Sequence, residues 1–170
     1  MSTVFNVSLV LENVEWTDEN LERIFDVLPD AVPAKLGGVV TVSCPVVAPS
    51  AEAAAFHLVS VIGGVLPEAV AARLDQDLVS IPDIAERTKR SRESVRLLVE
   101  GKRGPGGFPS PVGVVGDAIR VWAWASVLEW FAQRLGDDLG EHAVPPEIAA
   151  SVDAVLATNR QHLTRRYNTG

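Results

Sequence analysis

The chain of 170 residues carries a single cysteine, Cys44, so no intramolecular disulfide framework can form. That economy fits a reducing compartment, and a cytoplasmic protein is expected. No apolar run approaches the ~18 residues a bilayer span needs. Met1 to Asn6 show no basic segment followed by an apolar stretch, which predicts no secretory leader and no membrane partner. A Gly-rich phosphate loop, paired catalytic carboxylates and metal-ligand spacing are all missing. The sequence therefore predicts no catalytic residues, no metal, no cofactor and no enzyme activity. Cys44 falls in a predicted strand and reads as a small core residue. His57 lies in an apolar helical stretch beside Phe56, and reads as packed or half-exposed. His142 and His162 have no companions and read as surface residues.

What is present is charge, unevenly placed. The whole chain is net −7. Residues 1–85 hold 3 basic and 12 acidic side chains, and residues 121–170 hold 4 and 6. Between Glu86 and Arg103 the balance reverses, with seven Lys/Arg against three Glu. Such asymmetry argues for distinct modules. An acidic N-terminal part repels phosphate, and a basic helical stretch attracts it.

The first 75 residues alternate between strand and helix patterns. Val4 to Leu11 reads as a strand by period-two alternation. Thr17 is a helix cap, with Leu21, Ile24, Phe25 and Leu28 at helical spacing, and Pro29-Asp30 ends that helix. Strands at Ala31–Leu36 and Val39–Val47 flank the turn Gly37-Gly38. Ser50 caps a second helix, expected to stop at Gly63-Gly64, and a fourth strand fits Ala69–Leu74. The order βαββαβ predicts a ferredoxin-like domain over residues 1–76.

Residues 80–103 read as two short helices with a tight turn. Ser80 and Asp83 have capping-box spacing, with Pro82 in the first turn. Ile81, Ile84 and Ala85 form one apolar face. Ser91 caps the next helix, whose Val95, Leu98 and Val99 point inward. Gly101-Lys-Arg-Gly-Pro-Gly-Gly-Phe-Pro-Ser-Pro follows. Then come two strands, Val112–Val115 and Ala118–Trp122, around a two-residue turn at Gly116-Asp117, and a helix from Ser126 to Leu135. Trp122, Trp124 and Trp130 match hairpin alternation and a helix face, and read as core.

With Ala85, Lys89 and Val95 at the small, turn and aliphatic positions, the pair resembles the helix-turn-helix of DNA-binding regulators. Lys89 stands where that family usually has Gly, at a turn favouring positive φ. Together with Gly107-Phe108-Pro109, the hairpin, Val127 and Trp130, residues 78–135 of a module expected over 77–136 resemble the excisionase-like branch of the MerR-type winged helices. The resemblance implies a DNA-binding domain. Arg92 and Arg96 then lie where side chains reach base edges, and Ser91 sits where a helix N-terminus holds phosphate. Glu93 can accept from a cytosine amine or pair with a neighbouring Arg. Lys89, Arg90, Lys102 and Arg103 supply further cations for the backbone.

A last amphipathic helix is expected over 145–166, with Ile148, Val152, Val155 and Leu156 on one stripe, docking on its own chain or pairing across a dimer. The expected class is α+β. The expected function is sequence-specific binding of double-stranded DNA by a homodimer, as a bacterial transcriptional regulator or an excisionase-like accessory factor. The N-terminal domain would dimerise or take a small-molecule or protein effector. The alternative is an adaptor whose helix pair binds protein.

Overall fold

Phe5, Val7, Leu9 and Leu11 alternate with smaller or polar residues, and the chain from Thr3 to Glu12 is a strand, β1. Thr17 Oγ1 accepts the Asn20 N–H at 3.2 Å and starts α1, Asp18–Val27. β2 (Val32–Leu36) and β3 (Val39–Ala48) form a hairpin through Gly37 and Gly38, both at positive φ. Ser50 Oγ accepts the Ala53 N–H at 3.1 Å and starts α2, Ala51–Val65. β4, Val70–Leu74, completes a four-stranded antiparallel sheet in the order β2-β3-β1-β4. This computed structural model describes residues 1–167, with side chains through Gln161. It is an α+β chain with six helices among the described residues.

One face of that sheet holds the first core. Val7, Leu9 and Leu11 of β1 share it with Val40, Val42, Cys44 and Val46 of β3, all buried. Ala54, Ala55, Leu58 and Ile62 of α2 are buried with them. Burial raises the Cys44 thiol pKa, and Asp30 adds to the effect, so the thiol stays protonated and unreactive. On the other face Ser43 Oγ donates to Ser8 Oγ at 2.8 Å, while Val4 and Val47, cross-strand neighbours, remain exposed. His57 is exposed on α2.

Three expectations are corrected in this unit. α2 does not stop at Gly63-Gly64 but runs through both to Val65, where the Leu66 N–H bonds Ile62 O at 2.8 Å. Pro67 follows, and the residue before a proline leaves the helical region. Two mid-helix glycines cost about 1 kcal/mol each, a penalty outweighed by burying Leu58 and Ile62. Phe25 of α1 is 43% exposed, and Ile24 alone fills the core from that helix. In the last helix, α6 (Pro146–Tyr167), Ala149, Val152 and Leu156 are buried whereas Val155 is 43% exposed.

Contacts divide the chain into two compact units, residues 1–75 with the segment from Glu147, and Gln76–Pro146. α6 thus docks on its own chain. Asp153 Oδ1 accepts the Leu74 N–H at 2.7 Å, closing part of the open edge of β4, and Arg160 pairs with Glu12. The His162 side chain lies outside the described residues. No helix among the described residues is long and apolar enough to cross a membrane.

The second unit runs β5 (Leu78–Val79), α3 (Ile81–Thr88), α4 (Arg92–Val99), β6 (Gly113–Val115), β7 (Ile119–Ala123) and α5 (Trp124–Arg134). β5, absent from the sequence reading because two residues have no periodicity, pairs with β7 and makes a three-stranded sheet in the order β5-β7-β6. Val115 pairs with Ile119, so the hairpin loop has three residues, Gly116 to Ala118, rather than two. α5 starts at Trp124, not Ser126, because the Trp124 N–H bonds Asp77 O at 2.8 Å beside β5.

Candidate nucleic-acid interface

The α3–α4 pair is fixed at both ends. Asp83 Oδ2 accepts from the Ser80 N–H at 2.8 Å and the Ser80 hydroxyl at 2.6 Å. These bonds, the side-chain one foremost, hold the Asp83 carboxyl below its ordinary pKa. α3 ends at Lys89, which takes the left-handed conformation at φ 54° and ψ 38°. The Arg90 N–H then reaches back to Ala85 O at 2.9 Å, the six-to-one bond of a Schellman end. Ser91 Oγ accepts the Ser94 N–H at 3.1 Å and starts α4. Ile84, Ala85, Val95 and Leu98 are buried between the helices and the residues beneath them. Ala85 is small where the helices close on each other, and the lysine sits at the positive-φ turn despite its Cβ.

Below the pair lies an aromatic core of Trp122, Trp124, Trp130 and Phe131, each 4% exposed or less. It organises the Gly/Pro segment after α4. Trp122 Nε1 donates to Pro109 O at 2.9 Å, and Trp130 Nε1 to Gly106 O at 3.1 Å. Phe108 stands edge-on to both indoles, at 5.9 and 4.9 Å between centroids. Gly104 has φ 75°, which favours glycine, and a Cβ there would lie 3.0 Å from Leu98 Cδ2 and press that side chain aside. Beyond this anchored loop the hairpin is open, and its aliphatics Val112, Val114, Val115 and Ile119 are each over half exposed.

The cations divide into two groups. Four are engaged by carboxylates. Arg87 pairs with Asp77 at 2.5 and 3.0 Å and lies 5.0 Å over the Trp124 ring. The Asp77 bond raises the Arg87 pKa, so its charge is permanent. Arg90 pairs with Asp137 at 3.1 Å and covers Phe131, while its buried Nε has no partner. Arg96 donates to Glu93 through Nε at 2.9 Å and a terminal nitrogen at 2.5 Å. Its other terminal nitrogen lies 2.7 Å from both oxygens of Glu100. Lys102 reaches Glu100 at 2.9 Å. Within this group the Arg96 bond pulls the Glu93 pKa down, the Lys102 and Arg96 bonds pull Glu100 down, and Arg96 is raised by Glu93 and then Glu100. Glu93, Glu100 and Arg96 are therefore charged at neutral pH.

Lys89, Arg92 and Arg103 form the second group. All three are exposed, and none has an ion pair among the described residues. The structure thus brings the eight expected residues onto one helix pair and its following loop, but gives them different work. Ser91 is an intrahelical cap. Arg90 braces the turn against Asp137 and Phe131. Sequence reading put Glu100 on the exposed face of the second helix but gave it no role, although its i,i+4 spacing from Arg96 is legible. It also passed over Asp77 and Asp137, whose partners are 10 and 47 residues distant. Neither a family model, nor a curated protein, nor a solved structure matches the chain.

Proposed function

We propose that the chain is a sequence-specific double-stranded DNA-binding protein, either a bacterial transcriptional regulator or an excisionase-like accessory factor. In this reading α3 and α4 are a helix-turn-helix, β6 and β7 its wing, and the βαββαβ unit a ferredoxin-like dimerisation or effector domain. The observation that carries it is the turn. Ala85 is buried, Lys89 is left-handed and Val95 is buried, at the three positions where a helix-turn-helix needs a small residue, a positive φ and an aliphatic. The sheet order β2-β3-β1-β4 supports the reading of the first unit.

α4 is the recognition helix. Arg92, in its first turn, is free to meet a base edge or phosphate. Lys89 and Arg103 flank it with exposed positive charge for the backbone. A second reading has its own support. The exposed aliphatics of the hairpin, Val112, Val114, Val115 and Ile119, suit a protein partner, and the chain would then be an adaptor. Selection of bound duplexes from a random pool by the purified protein separates the two. A DNA-binding regulator enriches a defined motif, with affinity that falls as salt rises. No enrichment and no salt-dependent retention would leave the adaptor.

A further inference from the structure

We propose that Glu93 and Glu100 set the DNA specificity of this helix pair, by holding the Arg96 guanidinium against phosphate and yielding it only to a base edge. The inference rests on the DNA-binding reading above and deepens it.

The guanidinium is enclosed on both sides by carboxylates of its own chain, bidentate with Glu93 at 2.5 and 2.9 Å and shared with Glu100 at 2.7 Å. Lys102 completes the group on Glu100 at 2.9 Å. Two cations and two anions cancel, so this part of α4 presents no net charge to an approaching duplex. A phosphate arriving at random must displace a carboxylate tethered one turn away, and meets repulsion from the second. Neither step is favourable. Lys89, Arg92 and Arg103 carry no such restraint and are open to phosphate on any duplex, Arg92 also to a base edge on the selected one.

A base edge is a different partner. Guanine offers two acceptors, O6 and N7, matched to a guanidinium fork, and the cytosine paired to it offers an N4 amine. Arg96 and Glu93 together present donors and an acceptor side by side. A G·C pair satisfies both at once, so the Arg96 bonds to Glu93 are exchanged rather than lost. The carboxylates therefore weaken binding to every sequence except one that replaces them.

The test compares wild type with Glu93→Gln and Glu100→Gln on a random duplex and on the selected site, across a salt series. Both carboxylates are surface groups, so the amides should fold, which far-ultraviolet circular dichroism checks. Each variant should bind the random duplex about two- to five-fold more tightly. The salt slope should steepen by up to about one unit, and the selected-to-random ratio should fall. A ratio that stays level or rises in both variants overturns the inference while leaving DNA binding intact. A wild-type protein with no salt-dependent DNA affinity removes the DNA-binding reading itself.

Discussion

Replacing Lys89 by glycine should stabilise the second unit, and the gain can be worked from one dihedral pair. Lys89 sits at φ 54° and ψ 38°. A Cβ in that conformation costs roughly 1–2 kcal/mol through its clash with the following carbonyl. Glycine removes the clash but adds unfolded-state freedom of about 0.5–1 kcal/mol. The side chain is exposed and has no ion pair among the described residues, so no packing is lost. The net expectation for Lys89→Gly is a gain of about 0.5–1 kcal/mol, or about 2–8 °C in Tm for a unit of this size. Lys89→Val should move the other way, since a β-branched residue tolerates positive φ least. Tryptophan fluorescence in urea is the assay, because Trp122, Trp124 and Trp130 all lie in this unit and only Trp16 lies outside it. If glycine destabilises, or valine and glycine behave alike, the turn is not left-handed and the argument for a helix-turn-helix loses its central observation. Glycine should also weaken DNA binding modestly, through the lost cation, so stability and affinity move in opposite directions.

Three further outcomes follow from the same geometry. The Asp83 carboxyl is held below its ordinary value of 3.8 by Ser80. Its stabilising effect is therefore complete above that pH and fades as pH falls through the lower folded value; Asp83→Asn should lose stability at neutral pH and flatten the acid limb of the unfolding curve. Arg92→Ala should lose roughly 5–150-fold in affinity for the selected site while broadening the bases accepted, and unchanged selectivity would remove it from base readout. The active species should be a two-fold dimer reading half-sites about one helical turn apart, with Val4 and Val47 on the open sheet face as its contact. Sedimentation of Val47→Glu should then give monomer where wild type gives dimer, and a monomeric wild type both free and on DNA would refute it.

Local patterns were legible wherever a single segment decides its own structure. Thr17, Ser50, Ser80 and Ser91 each precede the helix they were expected to start. The alternation of β1 holds at Val7, Leu9 and Leu11, which are buried, although Val10 of the opposite set is buried too, and the three tryptophans of the second unit are core. What was not legible depends on partners distant in sequence. Gly63 and Gly64 look like a stop, yet packing of Leu58 and Ile62 carries α2 past them. β5 has two residues and exists because β7 lies beside it. On α6 the expected Val152 and Leu156 are buried, but a docked helix buries only the arc its partner covers, so Val155 is left out and Ala149 is buried. In the candidate site the basic residues were visible, but not how they are divided, since Asp77 and Asp137 reach Arg87 and Arg90 only in the folded unit.

That division predicts how strongly salt should act. Residues 76–146 hold 9 basic and 10 acidic side chains, so the unit is not basic overall. Its capacity to bind phosphate depends on which cations are unspent. Counting every Lys and Arg from Arg87 to Arg103 gives seven contacts, and a slope of log affinity against log salt near about −6 per protomer. Arg87, Arg90, Arg96 and Lys102, however, already hold carboxylates at 3.1 Å or less. A cation that stays with its carboxylate neutralises no phosphate and releases no counterion. Lys89, Arg92 and Arg103 remain, and three contacts give a slope near about −3 per protomer on random DNA. A measured slope near −6 would mean that the ion pairs open freely on any duplex, and the carboxylates would then have no part in choosing the sequence.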